Sequence, residues 1–263
     1  MRADKYFAEK FGSRTKSAEA IEKGLVLVNG KTIRPKDEIN GTEEISFPVA
    51  EESFVSNGGY KLSRAIKAFH FDCKAKVFAD IGASTGGFSD CLLQNGAKTI
   101  YTVDVGESLL DKRLSSDPRI IKMENTNARY LTKEDFPERI DGVTIDVSFI
   151  SLKLILPAIK DILSADGDAL LLIKPQFECE KKNIGKSGIV HPSSHAKIVK
   201  GIADFCIEIG LLPIQIVNAP VRKGKNIEYI LHVKPAQIGA VSTIAIEAAV
   251  KEFVKLNTLN ELK

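Results

Sequence analysis

The stretch Lys76–Phe88, KVFADIGASTGGF, decides the fold of this 263-residue chain. Val77 to Asp80 read as a short buried strand, and Ile81 and Gly82 carry it into a turn. Gly86 and Gly87 then open a helix whose apolar positions Phe88, Cys91 and Leu92 fall at helical spacing. Such a turn aims backbone N–H groups and the positive end of a helix at one point beyond the sheet. That is the geometry of a nucleotide-like ligand site, although glycine turns in α/β sheets also serve packing alone.

The spacing narrows the ligand. Gly82-x-x-x-Gly86-Gly87 is not the G-x-G-x-x-G of dinucleotide binders, and Ala83 and Ser84 stand where a glycine would admit a pyrophosphate. No Gly-Lys-Ser/Thr follows, so the NTPase phosphate loop fails as well. S-adenosylmethionine is the remaining common occupant, because it has no phosphate and needs only a close glycine turn under its methionine end. Its expected contacts are the turn itself (Gly82, Ala83, Ser84, Thr85, Gly86, Gly87, Phe88) and Asp104 with Val105 after a second strand, Thr99–Val103. An acid at Asp104 accepts both ribose hydroxyls. Asn127, beyond a third strand at Ile120–Met123, either bonds an adenine edge or caps its own turn.

Composition is that of a globular protein, 44% apolar and 27% charged, and a net charge of +3 leaves the distribution of charge to identify partners. Cys73, Cys91, Cys179 and Cys206 are far apart with no C-x-x-C, which suggests neither a zinc ribbon nor a disulfide framework and fits a reducing cytosol. His191 and His195 lie four apart, but Pro192 intervenes and no third ligand is evident, so no metal is expected. The start MRADKYF has no apolar signal core, and no apolar run approaches the roughly 20 residues of a membrane span. The expectation is a cytoplasmic protein with no membrane partner.

Residues 1–47 read as a small α+β domain. Asp4 can cap a helix over Lys5–Lys10 with Tyr6 and Phe7 inward, and Thr15 or Ser17 can start a second that Gly24 ends. LVLVNGKTI is a hairpin signal around Asn29-Gly30, with a third short strand near Glu44–Ser46. Residues 1–36 carry Arg2, Lys5, Lys10, Arg14, Lys16, Lys23, Lys31, Arg34 and Lys36 against Asp4, Glu9, Glu19 and Glu22. That basic face is either a phosphate-reading surface or a solvated one. The order R-x-D-K-Y-F, Ser13-Arg14, then A-x-x-I-x-x-G-x-V-x-V-N-G resembles the small RNA-binding domain named after ribosomal protein S-four. The resemblance implies a grip on structured RNA through Arg2, Lys5, Arg14 and Lys16.

An acidic, aperiodic stretch, 48–57, reads as a linker to a larger domain over 58–263. Gly58-Gly59 breaks the chain there, and Lys61 sits in the first turn of a helix with Leu62, Ile66 and Phe69 inward. After Asp104, strand and helix signals alternate, which predicts a doubly wound, mostly parallel sheet. Gly142–Ile145 delivers Asp146, and ALLLI, 169–173, delivers Lys174. The polar segment Cys179–Pro192, with Lys181 and Lys182, reads as a mobile loop. A helix over Ser194–Glu208 and a strand over Leu212–Val217 follow. The loop PVRKGKN then adds Arg222 and Lys223, and a last strand over Glu228–Val233 reads as antiparallel, at or near the edge.

Functional groups of an open α/β sheet collect at the carboxyl ends of its strands. Asp146 and Lys174 end consecutive buried strands, Glu228 starts an antiparallel one, and Lys61 opens the helix before the first strand. All four can converge on one cleft. Such a set suits methyl transfer to a weakly acidic hydroxyl, which needs in-line positioning and removal of a proton. Lys174 is assigned the base, with Lys61 as a neighbouring cation that holds the attacking oxygen. Asp146 orients Lys174 near the cofactor, and Glu228 orients Lys61 or a ribose hydroxyl. The bland alternative for each is a surface salt bridge.

SNGGYKL, DIGASTGGFSD, the VDVG run, TNARYL, IDVSFISL, LIKPQFE and GKNIEYI together resemble the TlyA family, ribosomal RNA ribose 2′-O-methyltransferases of the FtsJ-like fold often labelled hemolysin A. The resemblance covers nearly the whole chain. It implies a Rossmann-like methyltransferase using S-adenosylmethionine, with Lys61, Asp146, Lys174 and Glu228 as its K-D-K-E tetrad. It also implies a cytidine ribose in ribosomal RNA as target, and ribosomal RNA or a subunit as partner of the basic residues, Lys181, Lys182, Arg222 and Lys223 among them. Two positions depart: S-N-G-G at Asn57 where the family has S-R-G-G, and GIVHP, with His191 and Pro192, for G-x-V-R-D. A membrane-lytic hemolysin and a non-catalytic ribosome-assembly factor are the alternative readings.

Overall fold

Asp4 does not cap a helix. It lies buried where Arg2 and Arg14 meet, and it organises the front of the chain. The computed structural model describes every residue except 23, 48–52, 222–223, 238–241, 243 and 262–263, with the backbone alone at 258–261. The chain forms two compact units, Met1–Ser53 and Phe54–Lys263.

In the first unit, α1 (Ala3–Tyr6) and α2 (Ala8–Phe11) replace the single helix expected over 5–10, because the chain bends at Phe7. Phe7 is buried, whereas Tyr6 is 39% exposed and packs edge-on against it at 4.9 Å. Ser13 accepts from the Lys16 amide at 3.2 Å, and the next helix, α3 (Arg14–Glu22), starts one residue later. Asn29 and Gly30 take φ of +51° and +73°, the type I′ turn that joins β1 (Leu27–Val28) to β2 (Lys31–Thr32). β3 (Ile45–Ser46) completes a sheet in the order β2-β1-β3, over a core of Ala3, Phe7, Ile21, Val26, Val28 and Ile39.

The second unit begins at Phe54, inside the stretch read as linker. The Phe54 ring is buried, and the Val55 amide donates to Asp90 Oδ2 at 2.7 Å. Helix α4 (Asn57–Phe69) contains Gly58 and Gly59, so the glycine pair does not break the chain. There follow β4 (Val77–Ile81), α5 (Gly87–Gln94), β5 (Thr99–Val103), α6 (Lys112–Ser115) and β6 (Ile120–Met123). Beyond these come β7 (Ile140–Ile145), α7 (Leu156–Ile162), β8 (Leu163–Ile173), the single turn α8 (Pro175–Glu178) and α9 (His195–Glu208). The last elements are β9 (Leu211–Asn218), β10 (Tyr229–Pro235) and α10 (Ile246–Glu261).

The sheet order is β6-β5-β4-β7-β8-β10-β9; β10 runs antiparallel to both neighbours and the other described pairs are parallel. β10 is therefore next to the edge, and β9 forms it. Alternate strand residues enter opposite cores, as a sheet covered on both faces requires. Ala79, Tyr101, Val143, Leu171 and Leu231 pack with α7 and α9, while Phe78, Ile100, Leu170 and Ile230 pack with α4 and α5. β8 is longer than the apolar run 169–173, because its polar first half pairs with β7, Leu163 opposite Ile140 and Asp168 opposite Gly142; His232 and Lys234 of β10 also bond Asp168, at 2.6 and 3.1 Å.

Gly142 on β7 lies against the wholly buried ring of Phe78, which occupies the space a Cβ would need. Gly142→Ala is expected to destabilise the large unit by about 1–3 kcal/mol, read as a lowered midpoint in urea unfolding with an unchanged slope.

Candidate active site

The glycine turn is shaped for a close ligand. Gly82 has φ +77°, and a Cβ there would come within 2.8 Å of the Asp146 carbonyl oxygen. Gly86 has φ +90° and lies directly under the Leu110 and Leu114 methyls. Gly82 and Ala83 both donate to the Val103 carbonyl, at 2.8 and 3.2 Å, which folds the turn onto the end of β5. Ser84 takes φ +48°, and its amide donates to Asp104 Oδ2 at 2.8 Å; the Gly106 amide donates to Oδ1 at 2.9 Å. One bond per oxygen leaves the Asp104 carboxylate further acceptor capacity. Ser84 and Thr85 are exposed at the tip, Phe88 is buried behind it, and Val105 is 70% exposed beside Asp104. The Asn127 oxygen accepts from the Arg129 amide at 3.2 Å and so caps its own turn. Glycines that no side chain could replace, with a carboxylate beside them, fit S-adenosylmethionine.

Beside this turn the charged side chains form two ion pairs. Lys174 Nζ lies 2.6 Å from Asp146 Oδ1 and donates to Ser148 Oγ at 2.8 Å. Lys61 Nζ lies 2.6 Å from Glu228 Oε2. Lys174 is buried, and the side chains of Lys61 and Glu228 are about one-fifth exposed. The backbone explains the placement. β8 and β7 are parallel neighbours, so Lys174 and Asp146 leave the sheet at the same rim. Tyr229 opposes Ile173 across the antiparallel pair, which sets Glu228 at that rim too. Lys61 is delivered by the close approach of two helix starts. Gly87 has only 3.0 Å from its Cβ position to the Gly59 nitrogen and 3.1 Å to the Gly58 Cα.

Several residues near the site escaped notice in the sequence. Asp80, wholly buried, receives Ser89 Oγ at 2.5 Å and Thr144 Oγ1 at 2.8 Å, tying β4 to α5 and β7. Burial pushes its carboxyl up to about 6, against the pull of those two hydroxyls. Phe149 is 90% exposed, stands 5.0 Å from the Phe177 ring and has φ +64°. A bulky residue in that region costs about 1–3 kcal/mol, so its surroundings must hold it there. Glu178 accepts from Ser151 Oγ at 2.6 Å and from the Leu152 amide at 2.8 Å, and burial raises its carboxyl. The sequence signal for these was weak, since each is a polar or aromatic residue whose partner is distant along the chain.

The basic residues fall in separate places. Arg2 and Arg14 both bond the Asp4 carboxylate, at 2.9 and 3.0 Å, and these guanidiniums hold it below the usual carboxylate range. Their own side chains stay about half exposed, and Lys5 and Lys16 are exposed. Lys181 and Lys182 lie in a turn that is closed rather than loose: Gly185 donates to Ile189, His191 to Asn183, and the Val190 amide to Asn226 Oδ1 at 2.8 Å. Lys182 pairs with Glu180 at 2.7 Å. Arg222 and Lys223 lie outside the described residues. His195 is buried with Nδ1 2.9 Å from Tyr229 Oη, its imidazole held below its ordinary value by burial.

The sheet belongs to a known class. Its fold is shared with a structure from Listeria monocytogenes described as an S-adenosylmethionine-dependent methyltransferase, at a TM-score of 0.51 and 12% identity over 68% of this chain and 99% of that one. Residues 54–234 match the FtsJ-like methyltransferase family and residues 1–45 the S4 domain. A structure from Streptococcus thermophilus described as a hemolysin aligns over 100% of this chain and 98% of its own, with 35% identity and a TM-score of 0.76. The 16S/23S rRNA (cytidine-2'-O)-methyltransferase TlyA of Mycobacterium tuberculosis is 37% identical over 92% of each chain. The chain belongs to the TlyA family of FtsJ-like methyltransferases.

Asp80 generates a pH prediction. Its folded value of about 6 lies above an unfolded value near 4, so between those limits the folded state binds a proton that the unfolded state does not. Its contribution therefore falls as pH rises through that window. Urea unfolding at several pH values is expected to show Asp80→Asn gaining on the wild type as pH rises from about 4 to about 6, and a constant offset above it.

Proposed function

We propose that this chain methylates the ribose 2′-oxygen of a cytidine in ribosomal RNA, with Lys174 as general base. The observation that carries the proposal is the pairing of Lys174 with Asp146 and of Lys61 with Glu228 beside the glycine turn. The names of its relatives support the substrate class.

To act as base, the Lys174 ammonium first gives up its own proton to solvent, leaving an amine with two N–H donors and one lone pair. The two acceptors around Lys174, Asp146 Oδ1 and Ser148 Oγ, take both donors and leave the lone pair for a hydroxyl proton. Lys61, fixed by Glu228, holds the same oxygen from its other side. When bound, S-adenosylmethionine supplies an electrophilic methyl group on a sulfonium. Gly82 to Phe88 would hold its methionine end, and Asp104 would accept its ribose hydroxyls. Asn127, its oxygen occupied by Arg129, would have its amide nitrogen left for the adenine edge. Positioning would do most of the work, with the Lys61 and Lys174 side chains fixing the attacking oxygen. Arg2, Lys5, Arg14 and Lys16 grip the RNA, with Lys181, Lys182, Arg222 and Lys223 as further phosphate contacts. Asn57 stands where the family pattern has arginine, so that phosphate contact is absent from the grip.

The test is methyl transfer from labelled cofactor to purified ribosomal subunits and to naked RNA, with the modified ribose mapped by alkali resistance. Lys174→Ala is expected to lower kcat by about 10²–10⁴-fold with cofactor affinity nearly unchanged. Label on a base, or no label on any RNA, refutes the reading. The double variant R2A/R14A is expected to weaken RNA binding and to flatten its salt dependence by about 1–2 units of log K per log salt. Fluorescence titration at several salt concentrations measures that slope.

A further inference from the structure

Lys174 and Glu178 bracket one turn of backbone, and both reach the same loop. At one end Lys174 Nζ holds Asp146 and Ser148, at 2.6 and 2.8 Å. At the other, the Glu178 carboxylate receives Ser151 Oγ on Oε2 and the Leu152 amide on Oε1. Between these grips the loop passes through Phe149, the exposed residue with a left-handed backbone, whose ring meets Phe177 of the same turn.

We propose that Glu178 is a positioning residue for the methyl transfer: it fixes the arc 146–152 so that Asp146 and Ser148 meet the Lys174 amine. The proposal rests on the reading of Lys174 given above. Three features argue for it. Both oxygens of Glu178 are engaged by successive residues, which fixes the loop in position and in direction. Ser151 Oγ also accepts from the Lys153 amide at 3.2 Å, so the same bond sets the start of the following helical turn. Glu178 is half-buried, and burial raises its carboxyl. A tether that only capped Leu152–Leu154 would work equally well at the surface. Left-handed geometry at Phe149 relaxes once one grip is released, and the arc then carries the two acceptors away from the lysine.

The test uses E178A, E178Q and S151A in the full chain. E178A is expected to lower kcat at saturating RNA and cofactor by about 10²-fold, with the cofactor Kd nearly unchanged. E178Q keeps an acceptor for the Leu152 amide and can donate to Ser151 Oγ, so it should restore most of the rate. S151A should fall between them. Independently of turnover, the Lys174 ¹⁵Nζ resonance should shift in E178A and stay in place in E178Q, and the Leu152 amide should exchange faster in E178A. A wild-type kcat in E178A, or an unmoved Lys174 resonance, overturns the proposal. So does a loss in E178Q equal to that in E178A and matched by a fall in Tm, which marks a purely structural role. If the wild-type protein methylates no RNA, the functional reading falls, and the resonance and exchange data still decide whether Glu178 places the lysine's acceptors.

Discussion

Tyr229 lies opposite Ile173, and on this register the charged rim depends. Strand side chains alternate faces, so a slip of one residue would send Tyr229, Leu231 and Val233 out of one core and Ile230 out of the other. The register is therefore held by apolar burial on two faces, and by the bond from Tyr229 Oη to buried His195. Glu228 has no such stake of its own. It is carried to Lys61 because the residue after it cannot be anywhere else.

The second requirement is close approach of backbones. The starts of α4 and α5 touch through Gly58, Gly59 and Gly87, and Gly82 touches the carbonyl of Asp146. Side chains larger than hydrogen at these points would push apart the elements that present Lys61, the glycine turn and Asp146. Charges in this neighbourhood are matched locally: each lysine has a carboxylate, and buried Asp80 has two hydroxyls. A low-dielectric site tolerates such groups only when their partners are built in.

Much of the fold was legible because its signals are local. The central strands announce themselves as continuous apolar runs, and Asn29-Gly30 specifies a turn whatever surrounds it. What was not legible depended on partners far along the chain. Asp4 looks like a helix cap until Arg14 is brought beside it. Residues 163–168 lie outside the apolar run 169–173, and they are strand because β7, more than twenty residues earlier, pairs with them. Segment 179–192 looks unstructured by composition, yet Asn226, from a loop outside it, closes it through Val190 and Gly188. At the site, strand ends could be read from the sequence and so could the charged residues on them. The loop through Ser148, Phe149 and Ser151 could not, since its partners, Lys174 and Glu178, lie more than twenty residues away along the chain.

The placement of β10 also bears on how the protein is made. During synthesis β8 is finished long before residues 229–235 exist, and β9, its neighbour but one, is finished before them as well. Until the final strand arrives, one edge of β8 lacks its partner and β9 has no described strand beside it. Such edges are templates for pairing with other chains. Closing that gap is a late, non-local step, so truncation before residue 229 should yield an aggregating polypeptide and not a smaller enzyme.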